Sequence, residues 1–176
     1  MSLFRFLGLT SGASPADREP ESLRDLTARL SAMAPEDARF VAAFAYLLAR
    51  VAGADLTTED GERDVIARRL EKVAGLEPER ASLLAESAIA ASETHSASDD
   101  HLVARSFRTM ASAEERILLV RCLYAVAAAD TSITTLEDNE IFEIATEIGL
   151  PRNDVVALRS EWKDHLAVLK ARPRER

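Results

Sequence analysis

The sequence has little cysteine, few aromatic residues and no long apolar run. Its single cysteine, Cys122, cannot form a disulfide within the chain, which favours a reducing compartment and predicts a cytoplasmic location. No apolar run approaches the roughly 18 to 20 residues that a membrane-spanning helix needs, so we predict no membrane span. Aromatic residues make up only 5% of the 176 residues, so the core must consist mainly of Ala, Leu, Val and Ile, which favours packed helices.

Basic residues are too few to balance the acidic ones. Thirty Asp and Glu residues against 22 Lys and Arg residues give a net charge of −8. This charge argues against binding to the phosphate backbone of nucleic acids, and it favours cations or basic partners. The sequence also has no glycine-rich phosphate loop, no nucleophile elbow and no zinc-type spacing of histidine and cysteine, so we expect that it is not an enzyme.

The two ends of the chain differ from its middle in composition. Residues 1–20 combine an apolar tag with a linker of small and turn-forming residues, residues 171–176 form a basic tail, and residues 21–170 are predicted to form one domain. The apolar residues of the tag are Leu3, Phe4, Phe6 and Leu7. Packing of the tag on its own domain and a weak peripheral contact with a membrane both stay open.

Apolar residues recur at helical spacing throughout this domain, and no segment alternates with a period of two. We therefore predict an all-α, single-domain bundle of about seven to eight helices. The segments 35–53 and 113–129 are apolar on nearly every side and should be the central helices. A polar segment, 92–98, is expected to connect a helix that begins at Pro78 with a short helix that begins at Ser98. The last helix is expected to run from Pro151 through Leu169.

The chain contains an internal repeat of about 75 residues. Val51-Ala-Gly-Ala-Asp55 matches Val126-Ala-Ala-Ala-Asp130, and in each copy a Glu lies seven positions after the Asp. The other residues that recur in order are Ile66 and Gly75 in the first copy, and Ile141 and Gly149 in the second. We predict a duplicated helical pair, with pseudo-symmetric halves at about 35–91 and 112–169.

These recurring residues resemble the TerB-like family, which is named for a bacterial tellurite-resistance protein. The second copy resembles the family pattern more closely than the first, which has Thr58 where an aliphatic residue is usual. The resemblance implies an all-α domain of two halves, an acidic face associated with metal binding, and a place in stress-response complexes. Family members usually have glycine directly after each repeat Asp, whereas this chain has Leu56 and Thr131, so a changed loop path is expected.

The candidate functional residues are Asp55, Glu62, Asp130 and Glu137. One interpretation is structural, because Asp binds loop amides and Glu near a helix N-terminus interacts favourably with the helix dipole. The other interpretation is a metal site in which these carboxylates bind Ca²⁺ or Mg²⁺ weakly. An EF-hand is excluded, because its sixth position would be Thr135 instead of glycine.

Two functions are consistent with this pattern. The first is a non-catalytic TerB-like domain that binds a divalent cation, or that joins a stress-response complex through its acidic face. The alternative is a metal-independent module that binds an apolar helix or peptide of a protein partner between its two halves. Trp162 is expected to pack the last helix on the bundle, with an exposed partner anchor as the alternative, and Cys122 to be buried and unreactive.

Overall fold

A computed structural model describes residues 30, 33–54, 60–94 and 97–170 of the chain. The helices of these residues are α1 (Pro35–Ala52), α2 (Asp60–Ala74), α3 (Pro78–Thr94), α4 (Ala97–Met110), α5 (Ala113–Ala127), α6 (Thr135–Glu147), α7 (Arg152–Glu161) and α8 (Ala167–Lys170). The predicted all-α fold is thus confirmed. The predicted tag and linker, the start of the predicted domain at 21–29 and the basic tail lie outside the described residues. Of the helices in the described residues, none is both long and apolar enough to cross a membrane.

Helices α1 and α5 form the centre of the bundle, as their apolar surfaces predicted. Helix α1 contacts α2, α3, α4, α5 and α6, and α5 contacts α1, α2, α6 and α7. Every residue of α1 from Val41 to Ala52 is buried, including Arg50. Small side chains on α1, such as Ala45 and Ala49, are fully buried and allow the neighbouring helices to approach closely. The core therefore surrounds these two helices.

The ends of α1 and α5 have the same local geometry. Gly53 follows α1 with φ −88° and ψ 2°, and Ala128, which lies 75 residues later, follows α5 with φ −91° and ψ 6°. The next helix of each half ends at a glycine with positive φ, 62° at Gly75 and 78° at Gly149. These local matches agree with the duplication, and the two-fold relation of the complete halves stays a prediction.

Local signals set the helix starts in the second half. Ser112 Oγ accepts a hydrogen bond from the Glu115 N–H, and the Glu115 carboxylate accepts one from the Ser112 N–H at 2.7 Å. Thr134 and Glu137 form the same reciprocal pair before α6. Both pairs are capping boxes, which the Ser/Thr-x-x-Glu spacing of the sequence indicates, and each satisfies two amide groups that the helix itself leaves without partners.

Two predicted helix boundaries are wrong. Helix α3 continues to Thr94 instead of ending before the polar segment at Ser92. The predicted last helix is interrupted: α7 stops at Glu161, because the chain turns at Trp162 and its next residues pair with the loop after α5. There the Ile133 N–H donates to the His165 carbonyl at 2.8 Å, and the Ala167 N–H donates to the Ile133 carbonyl at 2.9 Å. These long-range hydrogen bonds replace the helical ones that the apolar spacing predicted.

Thr131 retains the backbone conformation that glycine has elsewhere. Its φ is 79°, and no other non-glycine residue of the described ranges has positive φ. The loop therefore keeps a left-handed residue although it lacks the glycine that is usual in the family. A β-branched residue in this conformation is strained by about 1–2 kcal/mol.

Replacing Thr131 with glycine should therefore stabilise the protein. The strain energy that glycine removes from the folded state exceeds the stability that is lost because glycine makes the unfolded chain more flexible. We therefore expect the free energy of unfolding of Thr131→Gly to be about 0.5–1 kcal/mol higher than that of the wild type. Ser132→Gly is the matched control, and it should lower the free energy of unfolding because Ser132 has ordinary backbone angles. Urea denaturation measures both changes, and a loss of stability in Thr131→Gly would contradict the strain argument.

Candidate functional site

The four predicted acidic residues have different environments. Asp55 lies outside the described residues. Glu62 and Glu137, which are equivalent in the repeat, are both buried, with 6% and 4% of their surfaces exposed. Asp130 is exposed, and its Oδ1 accepts a hydrogen bond from the Ser132 N–H at 3.2 Å. Among the described residues, no three or more carboxylate, histidine or cysteine side chains come together as a metal-binding group.

A different charged cluster links α1, α4 and α6. Arg50 is buried on α1, and its guanidinium contacts Glu140 at 2.6 Å and Glu147 at 3.0 Å, both on α6. It also lies 3.9 Å from the carboxylate of Asp100 on α4, which accepts a hydrogen bond from the Tyr46 hydroxyl. His101 Nδ1 lies 3.2 Å from Glu147. We call these residues the Arg50 cluster, and it connects the two predicted halves electrostatically.

The Arg50 cluster is partly shielded from water. The side chain of Arg50 is 7% exposed, and those of Asp100, Glu140 and Glu147 are between 15% and 25% exposed. Burial raises the pKa of Glu140 above its usual range, although Arg50 acts in the opposite direction. One cation therefore compensates three carboxylates.

Glu140 should make the stability depend on pH. Because its pKa is raised in the folded protein, the folded state binds the proton more tightly than the unfolded state does. Its contribution to the free energy of unfolding is fully present below the ordinary pKa of 4.5 and is lost as pH rises through the folded-state value. We expect the stability of the wild type relative to Glu140→Gln to fall across this window in urea denaturation. A difference that does not vary with pH would contradict this assignment.

A cleft runs between α2 and α5, which belong to different predicted halves. It consists of two half-open depressions, with volumes of about 310 and 370 Å³, and we call it the α2–α5 cleft. Arg69 and Lys72 of α2 line both depressions. The lining extends along α5 from Glu115 to Ala125, which is about 15 Å along the helix axis, and continues to Ala128 and Ala129 just after the helix. This length is enough to receive several turns of another helix.

Apolar side chains form much of the larger depression. Leu118 of α5 lines it and is 40% exposed, an unusual degree for a large apolar residue on a central helix. Phe40 and Val73 line it too, and Cys122 lies at its base with 3% of its surface exposed. Burial raises the pKa of the Cys122 thiol, against the opposing effect of Arg69 and Lys72. The cysteine is therefore buried as predicted, and two cationic side chains lie close to it.

Trp162 and His165 line the smaller depression. The indole of Trp162 stacks on Tyr124 at 6.4 Å between ring centroids, and the imidazole of His165 contacts it edge-on at 5.6 Å. Trp162 thus packs α7 on the bundle, as predicted, while part of its surface stays accessible from the cleft. The depression exists because three lining residues have small side chains that do not fill it: Ala125, Ala128 and Ala129.

Sequence reasoning missed both the Arg50 cluster and the α2–α5 cleft. Arg50 interrupts an otherwise apolar segment of a central helix, which is a signal for a buried ion pair, but its partners lie 90 and 97 residues away. Arg68, Arg69 and Lys72 recur at the spacing of one helix face, which could have indicated a basic surface. The overall charge of −8 concealed this local excess of cations.

Comparison with known families agrees with this architecture. The sequence matches the family model described as "Tellurite resistance protein TerB" over residues 40–160. This range begins within α1 and ends within α7, and it covers well over half of the 176 residues. Searches of curated proteins and of solved structures found no match. The helical fold and the extent of the family match together show that this chain belongs to the TerB family.

Proposed function

We propose that this chain is a non-catalytic TerB-family module that binds an apolar segment of a protein partner in the α2–α5 cleft. The observation that carries the proposal is the cleft itself, which lies between helices of the two predicted halves and exposes Leu118. Covering the exposed part of this side chain at an interface contributes about 1 kcal/mol. In keeping with the family description, the partner would belong to a complex of the tellurite-resistance type. The cytoplasmic location stays a prediction.

The sizes of the two depressions favour a peptide or helix as the occupant. Each volume lies at the low end of the roughly 300–1,000 Å³ that is typical of small-molecule pockets. Two shallow depressions in a row, each large enough for one or two side chains, instead match the spaced anchors of an amphipathic helix. A partner segment would place an anchor in each of them.

Fluorescence of Trp162 tests the proposal, because it is the only tryptophan in the chain and lines the cleft. The full chain is titrated with an amphipathic peptide whose one apolar face repeats at helical spacing. We expect a saturable change in Trp162 emission, and an affinity about tenfold weaker in Leu118→Ala, which removes an apolar anchor. Leu136→Ala is the control, because Leu136 is 57% exposed on α6, outside the cleft. Equal affinities of the two variants, or no saturable change, would contradict the proposal.

A divalent-cation site at the repeat acids is the second candidate. The recurrence of two buried carboxylates, Glu62 and Glu137, at equivalent positions of the repeat favours it, because carboxylate oxygens are the ligands that Ca²⁺ and Mg²⁺ prefer. Opposing it, the Glu137 carboxylate already accepts the Thr134 N–H, and that of Asp130 accepts the Ser132 N–H. These contacts fit the structural interpretation of the two residues.

Calorimetric titration with Ca²⁺ and Mg²⁺ tests this second candidate. If the acids bind a cation weakly, the wild type should release or absorb heat at about millimolar metal and gain thermal stability. The combined Asp130→Asn and Glu137→Gln variant should do neither. Absence of heat and of a thermal shift in the wild type would end the metal hypothesis.

A further inference from the structure

We infer that the partner segment is acidic: its apolar side chains enter the α2–α5 cleft while its carboxylates pair with Arg68, Arg69 and Lys72. This inference rests on the proposed function and specifies the chemistry of the partner. It also departs from the overall charge of the chain, which by itself favours a basic partner.

The three cations lie together on α2. Arg68, Arg69 and Lys72 all line the cleft, and none of them forms an ion pair with a carboxylate in the described ranges. Two arginines elsewhere in the bundle are paired with carboxylates: Arg121 contacts Glu161 at 3.0 Å, and Arg159 contacts Asp138 at 2.7 Å. Without ion pairs to carboxylates of the described residues, the cations of α2 give the cleft a local charge opposite to that of the whole chain.

Arg69 and Lys72 stand at the middle of the cleft. Because they line both depressions, a segment that occupies the two depressions together must pass beside them. They lie three positions apart on α2, so their side chains are neighbours on one helix face. Acidic residues one turn apart on a partner helix could face both cations at once.

The environment of these cations favours pairing over simple solvation. Both lie near enough to the buried Cys122 to influence its thiol, which places them beside an apolar surface. Charges beside such a surface interact more strongly than fully solvated charges, because less water screens them. A partner that covered the cleft with apolar side chains alone would remove water from these cations without compensating their charge.

Three peptides that share one apolar face and differ only in the charge of the polar face test the inference. They are acidic, neutral and basic, and each is titrated against the full chain with Trp162 fluorescence as the readout. We expect the acidic peptide to bind most tightly and to lose affinity as salt is added, because salt screens the paired charges. Tight binding of the neutral or basic peptide would overturn the acidic assignment and leave the proposed function intact. Failure of all three would overturn the proposed function as well.

Removing the cations supplies the second arm of the test. The combined Arg69→Gln and Lys72→Gln variant should bind the acidic peptide about tenfold more weakly, because two ion pairs are lost, and should bind the neutral peptide with unchanged affinity. Arg105→Gln with Arg108→Gln is the matched control: both residues are exposed, three positions apart, and on α4, which does not line the cleft. Arg68→Gln alone provides a milder cleft variant. Equal losses in the cleft and control variants would overturn the inference.

Discussion

Replacement of Arg50 with methionine is expected to lower the free energy of unfolding by about 3 kcal/mol. Methionine retains most of the apolar stem but leaves the carboxylates of Asp100, Glu140 and Glu147 facing each other without a cation. Uncompensated charge that is shielded from water is costly, so the loss arises from the remaining partners more than from the missing contact. Urea denaturation at neutral pH measures it.

The exposed ion pair of Arg121 and Glu161 is the control for this prediction. Both side chains are about half exposed, so solvent screens this pair and Arg121→Met should change the free energy of unfolding little. The Arg50→Met loss should also diminish in acid, where the Glu140 carboxyl, whose pKa is raised by burial, becomes protonated. Similar losses for the two substitutions at neutral pH would show that the Arg50 cluster does not connect the helices as described.

Truncation of Leu123 to alanine should destabilise the protein by about 3 kcal/mol. Leu123 is fully buried on α5, the central helix of the second half, so the substitution removes apolar contacts and leaves a cavity. Leu118→Ala on the same helix should cost under about 1 kcal/mol, because Leu118 is 40% exposed at the cleft.

These two leucine variants separate folding from binding. Leu118→Ala should retain most of the stability of the wild type and lose affinity for an apolar segment. Replacement of a purely structural residue would instead lower the stability and leave the affinity unchanged. Thermal unfolding and the Trp162 titration on the same samples measure the two properties. A large loss of stability in Leu118→Ala, with little in Leu123→Ala, would place the core on the other side of α5.

The sequence predicted those parts of the fold that depend on nearby residues. The central position of α1 and α5 follows from apolar residues on nearly every side, and the two capping boxes follow from a spacing of three residues. The end of α7 depended instead on Ile133, which pairs with a segment more than 30 residues later in the chain. No local pattern carries that information, because Val155, Leu158, Trp162 and Leu166 keep helical spacing across the break.

The candidate site was harder to predict because it depends on which surfaces meet. A net charge describes the whole chain, whereas the cleft collects cations from one face of α2 beside apolar residues of α5. Similarly, nothing in the sequence near Glu140 and Glu147 distinguishes them from solvent-facing residues, and their contacts with Arg50 form only when α6 packs beside α1. The repeat indicated where two halves meet, but the charge at their junction needed the packed structure.

Mapping the bound peptide by nuclear magnetic resonance tests the central claim most directly. The isotope-labelled full chain is titrated with the acidic amphipathic peptide, and the shift of every backbone amide and of the Trp162 indole N–H is followed. The largest shifts should fall on α2 around Arg69, on α5 from Leu118 onward and the two alanines that follow it, and on the Trp162 indole. Largest shifts on α4 and α6 around the Arg50 cluster, with α2 and α5 unchanged, would contradict the assignment of the α2–α5 cleft as the partner site.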